Sequence, residues 1–341
     1  MRCGLALVEG VIAVGPTADS MIAPRARLLK YNSLSKFGTL ASRGSAKFMS
    51  MNQPAINVSD VLTAFQGSFK SNLKIMRDYY GLASLEVMPD RLSQLSLTVH
   101  GKPSTIHLPS DSIVGASAFI DKSWDPLKPK LFAKVAESCA DGIVLVDIGA
   151  NVGLFSRQCL SLIPNIAAAF CYEPHPGNFE LLTRNIGGVP NVNLFRKGLS
   201  NTSGNLVFYE DPNNVGNYSL NPAAMPANYR QSTVEILDSP TQEILWLSYN
   251  KPVFYKSDTQ GHDELIATSL SDQFWIRVKV AVFELWRIPG KTYDRNRFIS
   301  ILDSFPQKVF QSKPTLNVGS NSVVEYLNGT DGAFDDLIVL R

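Results

Sequence analysis

The sequence predicts an α/β fold built on a mostly parallel sheet with helices on both faces, and three observations carry that expectation. From residue 128 onward, short apolar runs alternate with stretches of helical periodicity over roughly 200 residues, the signature of repeated strand–helix–strand units. The near-continuous apolar run "IVLVDIG" (143 to 149) suits a strand covered on both faces rather than one. It ends on a glycine and passes at once into "GLFSRQCLSLI" (153 to 163), which has helical spacing. The turn "LVDIGANVGLFS" therefore lies at the carboxyl end of a strand, where open α/β sheets bind their ligands.

The elements follow in order along the chain. Residues 20 to 59 hold no Asp or Glu but carry Arg25, Arg27, Lys30, Lys36, Arg43 and Lys47, so 1–58 reads as a basic, acid-poor extension, disordered or targeting. After Ser59 or Asp60, either of which can cap a helix, Val61, Leu62, Phe65, Phe69, Leu73, Met76 and Tyr80 recur at helical spacing. "LSLTVH" and "STIHL" around "GKP" predict a hairpin at 95 to 108, which completes an accessory segment over 59–109. The main domain is 110–341. Within it, "AAAFCYEP" (167 to 174) is a strand ending on an acid and "PGNFELLTRNI" (176 to 186) a helix. "NVNLFRKGLS" (191 to 200), "NLVFYED" (205 to 211) and "TVEILDS" (233 to 239) come next. Then follow a strand at 252 to 258, a helix at 262 to 270, a strand at 276 to 286, a helix at 294 to 305 and a last strand at 336 to 341.

Composition narrows the function classes. The 341 residues are 45% hydrophobic and 18% charged, which suits a folded soluble protein, and a net charge of +2 gives no global reason to expect nucleic acid. Four cysteines without a C-x-x-C pair predict neither a disulfide framework nor zinc, and so a reducing compartment. The cytoplasm is the expected location, or an organelle if residues 21–50 act as a transit peptide. No run of about 18 uncharged apolar residues occurs, so no transmembrane segment is expected; "CGLALVEGVIAVG" (3 to 15) is too short for one and carries Glu9. The hydrolase G-x-S-x-G, the phosphate-binding G-x-x-x-x-G-K-[ST] and the zinc-binding H-E-x-x-H motifs are missing.

The chemistry concentrates at the turn. In Asp147-x-Gly149-x-Asn151-x-Gly153, Gly149 lets the backbone approach a ligand and Gly153 lets the next helix start close to the strand, while Asn151 can adopt a left-handed backbone. A dinucleotide turn, G-x-G-x-x-G counted from Gly149, would need glycines where Asn151 and Leu154 stand. That disfavours a nicotinamide oxidoreductase. Glu173 ends the neighbouring strand and can accept hydrogen bonds from both hydroxyls of one ribose. This combination suits S-adenosyl-L-methionine, which has no phosphate.

On the segments "VDIGANVGLFS" (146 to 156), "YEPHPGNFELLTRN" (172 to 185), "GLSNTSGNLVFY" (198 to 209), "VEILD" (234 to 238), "KSDTQGHD" (256 to 263) and "FELW" (283 to 286), the chain resembles the FkbM family of class I S-adenosylmethionine-dependent methyltransferases. The resemblance covers roughly residues 110 to 341. It implies a Rossmann-like sheet of seven strands and O-methylation of a hydroxyl on a sugar, a polyketide or a similar small molecule. It also implies cofactor binding through Asp147, Gly149, Asn151, Gly153 and Glu173, with Pro174 and Gly198 in the second and third segments beside them. Three positions depart from the family: Ser257 replaces an aliphatic residue, Gln260 a Glu, and Asp263 a Glu. A non-catalytic binding protein of the same fold is the alternative.

Transfer to an alcohol needs a base near the acceptor. His262 is the first candidate for that base, with Asp258 orienting the acceptor or the sulfonium end. His175 reads as structural. No metal is expected, although Asp258, Glu284 and Asp238 are the carboxylates that could converge on one. The Asn- and Gly-rich stretch 210 to 220 reads as a turn or as an acceptor loop.

Overall fold

A computed structural model describes residues 85–87, 92–99, 102–109, 125 and 127–341 apart from 213 and 215. The expected extension 1–58 and the helix after Asp60 lie outside the described residues. The chain divides into two compact units, with the division between Trp124 and Asp125. The N-terminal unit contains a small antiparallel sheet of β1 (Leu85–Val87), β2 (Leu92–Val99) and β3 (Lys102–Pro109). Val99 pairs with Lys102, so β2 and β3 form the expected hairpin over a two-residue connection.

The C-terminal unit opens with α1 (Leu127–Ala136) and then alternates β4 (Ile143–Ile148), α2 (Leu154–Leu162), β5 (Ile166–Tyr172), α3 (Pro176–Ile186) and β6 (Val192–Phe195). After an excursion described below come α4 (Ser239–Leu247), β11 (Val253–Ser257), α5 (Asp263–Ser269), α6 (Asp272–Arg277), β12 (Val278–Trp286), α7 (Arg295–Asp303), β13 (Gln307–Phe310), α8 (Ser320–Leu327) and β14 (Phe334–Leu340). Seven of these strands make one sheet in the order β13-β14-β12-β11-β4-β5-β6. Only β14 runs against its neighbours, antiparallel to both β12 and β13. Numbered within this sheet and read from β6, the order is 3-2-1-4-5-7-6, the expected topology of a class I methyltransferase. Strand order reverses between β4 and β11, and open α/β sheets bind their ligands beyond the carboxyl ends of the strands at such a switch point.

Side-chain alternation explains why the β4 run is apolar throughout. Val144, Val146 and Ile148 enter one core cluster, with Tyr255, Phe274 and Phe283. Ile143 and Leu145 point the other way, into a cluster with Phe132, Phe155 and Phe254. The sole polar residue of β4, Asp147, falls on the second face.

The excursion forms a second sheet that the alternation pattern does not anticipate. Its strands are β7 (Gly198–Ser200), β8 (Gly204–Glu210), β9 (Tyr218–Ser219) and β10 (Arg230–Asp238), in the order β7-β10-β8-β9. Residues 191 to 200 thus serve two sheets, broken at Arg196 and Lys197. The strand expected from 276 begins at Val278 because Asp272–Arg277 is helical, with the Ser271 hydroxyl capping it by accepting from the Phe274 amide at 3.3 Å. Ser219 Oγ donates to the Gln260 carbonyl at 2.7 Å, which ties the second sheet to the loop after β11.

Candidate functional site

Three residues of the turn after β4 have positive φ: Gly149 at 71°, Asn151 at 51° and Gly153 at 84°. Asn151 does adopt the left-handed backbone read from its residue type. A β-carbon on Gly149 would lie 2.0 Å from the backbone oxygen of Asp258, so only glycine lets the end of β11 close on the turn. A β-carbon on Gly153 would meet the Leu182 side chain at 2.7 Å, and its absence lets α2 begin against α3. Gly149→Ala combines a backbone clash with a disfavoured φ and is expected to destabilise the fold by more than about 1 kcal/mol. Urea denaturation checks this; an unchanged midpoint would contradict the close approach.

Glu173, one residue past β5, is 4% exposed. Its Oε2 accepts from the Asn151 amide at 2.9 Å and its Oε1 from the His175 amide at 2.9 Å. Burial pushes the carboxyl up to about 7 in spite of those two bonds. An ionised carboxylate offers about four acceptor positions. Two hold the turn, and the remaining two suit a ribose diol, so the residues fit S-adenosylmethionine at this point. Gly198 packs beside Pro174, where an added β-carbon would sit 3.7 Å from the proline ring and 2.6 Å from Ile236. His175 caps α3, its Nδ1 accepting from the Asn178 amide at 3.2 Å, and its ring lies against Tyr218 at 4.6 Å.

A chain of polar side chains crosses the carboxyl ends of β4, β11 and β12. Asp147 is fully buried; it accepts from Ser156 Oγ at 2.6 Å and pairs with Lys256 Nζ at 3.1 Å. That corrects its reading as a cofactor contact. With no exposed surface, Asp147 shapes the turn from behind. Lys256 Nζ also donates to the Gly149 carbonyl at 3.2 Å and lies 3.6 Å from Asp258. Burial pulls its ionisation down, but Asp147 and Asp258 outweigh that and hold it protonated. Gln260 Nε2 donates to Asp258 at 2.9 Å and to Glu284 at 2.5 Å, and Trp286 Nε1 donates to Glu284 at 2.8 Å. The Asp258 side chain, 24% exposed, is the most open carboxylate of this cluster. Asp238 does not join it: Asp238 caps α4 through the Thr241 amide at 2.9 Å and accepts from Ser203 Oγ at 2.7 Å.

His262 departs from its expected role. Its Nε2 lies 2.9 Å from Ser200 Oγ, and burial, reinforced by Lys291, pushes its ionisation down to about 4. An imidazole that so resists a proton is poorly matched to general-base catalysis near neutral pH. It serves instead to hold β7 against the loop after β11. The kcat of His262→Gln is therefore expected to show no loss of an ionisation near pH 6.5, as read from pH–rate profiles at saturating cofactor. Disappearance of such a step would restore the base assignment.

Two of the departures explain each other. Ser257 Oγ donates to Asp263 at 2.5 Å, and the Thr259 amide points at the same carboxylate. Burial, followed by the charge of Glu264, raises Asp263 to about 7. Lys256 was the functional residue most easily missed. Its separation of two from Asp258 and Phe254 sets it on a defined face of β11, yet the partner on β4 emerges only from strand order.

No protein-family profile matches the chain. It is 25% identical over 175 residues to methyltransferase sdnD of Sordaria araneosa, covering 43% of this chain and 67% of that protein. It is 26% identical over 159 residues to the 2-O-methyltransferase NoeI of Sinorhizobium fredii, covering 46% and 61%. Identity to the hexuronic acid methyltransferase AglP of Haloferax volcanii is 27% over 131 residues, covering 37% and 49%. The chain thus spans between 49% and 67% of the length of these relatives. Its large sheet has the strand order of the class I methyltransferase fold, and the proteins it is similar to are methyltransferases. Among the described residues, no helix is long and apolar enough to cross a membrane.

Proposed function

We propose that the chain is an S-adenosyl-L-methionine-dependent O-methyltransferase of the FkbM type, acting on a hydroxyl of a sugar, a polyketide or a similar small molecule rather than on nucleic acid. The observation that carries this reading is Glu173, buried at the end of β5 and locked by the Asn151 and His175 amides with acceptor capacity to spare. The similarity to NoeI, a 2-O-methyltransferase, and to AglP, a hexuronic acid methyltransferase, supports a sugar hydroxyl as acceptor.

Bound S-adenosylmethionine would supply an electrophilic methyl group, and the chain's own work is placement and proton handling. The Gly149–Gly153 turn and Glu173 hold the cofactor. Asp258, partly exposed and oriented by Lys256 and Gln260, accepts the hydrogen bond of the acceptor hydroxyl and takes its proton.

Calorimetry with S-adenosylmethionine and S-adenosylhomocysteine against NAD tests the cofactor; no binding of either sulfur compound would overturn the reading. Labelled methyl transfer to uronic acids, other sugars and polyketide alcohols tests the reaction. Cofactor binding without any product would leave a binding protein of the same fold.

A further inference from the structure

We infer that Trp286 is a specificity-determining residue: its indole is the platform on which a pyranose ring of the acceptor stacks while one of that ring's hydroxyls reaches Asp258. The inference rests on the methyltransferase reading above and narrows its acceptor from alcohols in general to pyranosides.

Strand alternation sets the position of the ring. Val280 and Val282 of β12 and Ile338 and Leu340 of β14 lie in the core cluster with Phe254, and Glu284 and Trp286 continue the first row as Asp336 and Phe334 continue the second. Glu284 is opposite Asp336 and Trp286 opposite Phe334, so a pair of carboxylates is followed by a pair of aromatic rings at the carboxyl end of β12. The two rings stack, with centroids 4.7 Å apart and planes inclined by 19°. The Trp286 β-carbon stands beside the loop that follows Asp258, since a β-carbon added to Gly261 would meet it at 3.7 Å. Three hydrogen bonds lead from the Asp258 carboxylate to the indole: Gln260 Nε2 to Asp258 at 2.9 Å, the same nitrogen to Glu284 at 2.5 Å, and Trp286 Nε1 to Glu284 at 2.8 Å. A hexose lying on the indole is long enough to bring a hydroxyl to Asp258.

Core packing accounts for the other tryptophans among the described residues and not for this one. Trp246 and Trp275 are 0% and 2% exposed, whereas Trp286 and its partner Phe334 both stay partly exposed. Large rings left in contact with water forgo part of the burial that makes them stabilising. The pose is nevertheless fixed at several points. The indole N–H is held by Glu284, Phe334 covers one face, Lys291 Nζ donates to the Trp286 carbonyl at 3.0 Å, and the Arg287 amide donates to the Ala333 carbonyl at 2.8 Å. A ring held in place before the ligand arrives costs little ordering on binding. With its polar edge already occupied, what the indole has left to offer is apolar surface. A pyranose matches it, because the C–H bonds on one side of the sugar ring form an apolar face while the hydroxyls on its rim remain for polar groups such as Asp258. An open-chain alcohol has no such face.

Full-length Trp286→Leu is expected to raise the KM for methyl hexopyranosides and methyl hexuronides about tenfold with kcat nearly unchanged, the pattern of lost binding shared by ground and transition states. Its affinity for S-adenosylhomocysteine should stay that of the wild type. Trp286→Phe, which keeps a ring over Phe334, should recover most of the acceptor binding. Loss of kcat/KM should be confined to ring acceptors and spare an open-chain alditol, a distinction that a general disturbance of the fold would not make. A readout without turnover is tryptophan emission: methyl hexuronide titrated into the protein with S-adenosylhomocysteine should shift the emission of the wild type and not that of Trp286→Phe. The inference falls if Trp286→Leu keeps the pyranoside KM within about twofold of wild type, or if it lowers the use of alditol and pyranoside alike. It falls also if the wild type shows no emission shift, or methylates polyketide alcohols and no pyranoside. An emission shift in the wild type without methyl transfer to any alcohol would overturn the proposed activity and keep the platform.

Discussion

Lys256→Met is expected to lower the unfolding free energy by about 3–5 kcal/mol, the usual cost of leaving a buried charge without its partner. For a unit of this size, roughly 2–4 °C of melting temperature follow each kcal/mol, so the midpoint should fall by about 6–20 °C. The reason is local and specific. Asp147 is fully buried, and its paired cation is Lys256 at 3.1 Å, with the Ser156 hydroxyl at 2.6 Å as a neutral donor. Methionine fills the same space against Phe155, over whose ring the ammonium lies at 5.5 Å, so packing is largely kept and the charge is what is lost. The same ammonium holds the Gly149 carbonyl at 3.2 Å, so cofactor affinity should fall together with stability. Urea denaturation with an unchanged slope would isolate the stability change. Asp147→Asn added to Lys256→Met should recover part of the loss, since it removes the orphaned charge, and the double-mutant cycle measures the coupling. A loss below about 1 kcal/mol would mean that the pair does not carry opposite charges in the folded protein.

Pair formation of this kind marks the limit of what the sequence shows. The parallel sheet was legible because β4 carries apolar residues on both faces, and burial confirms both: Val144 and Val146 in one cluster, Ile143 and Leu145 in the other. The turn was legible because only Gly and Asn suit its backbone. Helix α4 was not, since it buries Gln242, Glu243 and Trp246 while exposing Ile244 and Leu245, which blurs its apolar stripe. The break between β6 and β7 had only Gly198 to announce it. The pairing of Lys256 with Asp147 spans 109 positions and depends on β11 lying beside β4, a neighbour relation that no local pattern contains. His262 illustrates the same limit from the side of chemistry. Its position at the start of α5 was readable, but its loss of basicity comes from burial and from Lys291, which the chain brings near only on folding.

Glu173→Gln is expected to weaken S-adenosylhomocysteine binding about 100-fold or more, since each hydrogen bond to a charged acceptor contributes about 1.5–3 kcal/mol. Glutamine keeps one carbonyl oxygen. Its amide nitrogen must then confront either the Asn151 or the His175 backbone N–H, both of which donate to the carboxylate at 2.9 Å, so the turn loosens as well. The wild type should also show a pH dependence of definite sign. Burial raises the folded carboxyl from 4.5 to about 7, so the folded state keeps a proton that the unfolded chain gives up. The contribution of Glu173 to stability is therefore fully present below pH 4.5 and is lost as pH rises through about 7. Ligand binding runs the other way. Only the ionised carboxylate has acceptor sites for both ribose hydroxyls after serving the two amides, so affinity should rise by up to about tenfold per pH unit below the ionisation and level off above it. Calorimetry with S-adenosylhomocysteine from pH 5.5 to 8.5 separates the two opposing trends, because stability falls over the range in which affinity grows. In Glu173→Gln the rise should vanish, leaving weak and nearly flat binding. A wild-type affinity that does not change over this range, or a variant within about threefold of wild type, would remove Glu173 from the cofactor site and leave it as the clamp of the turn alone.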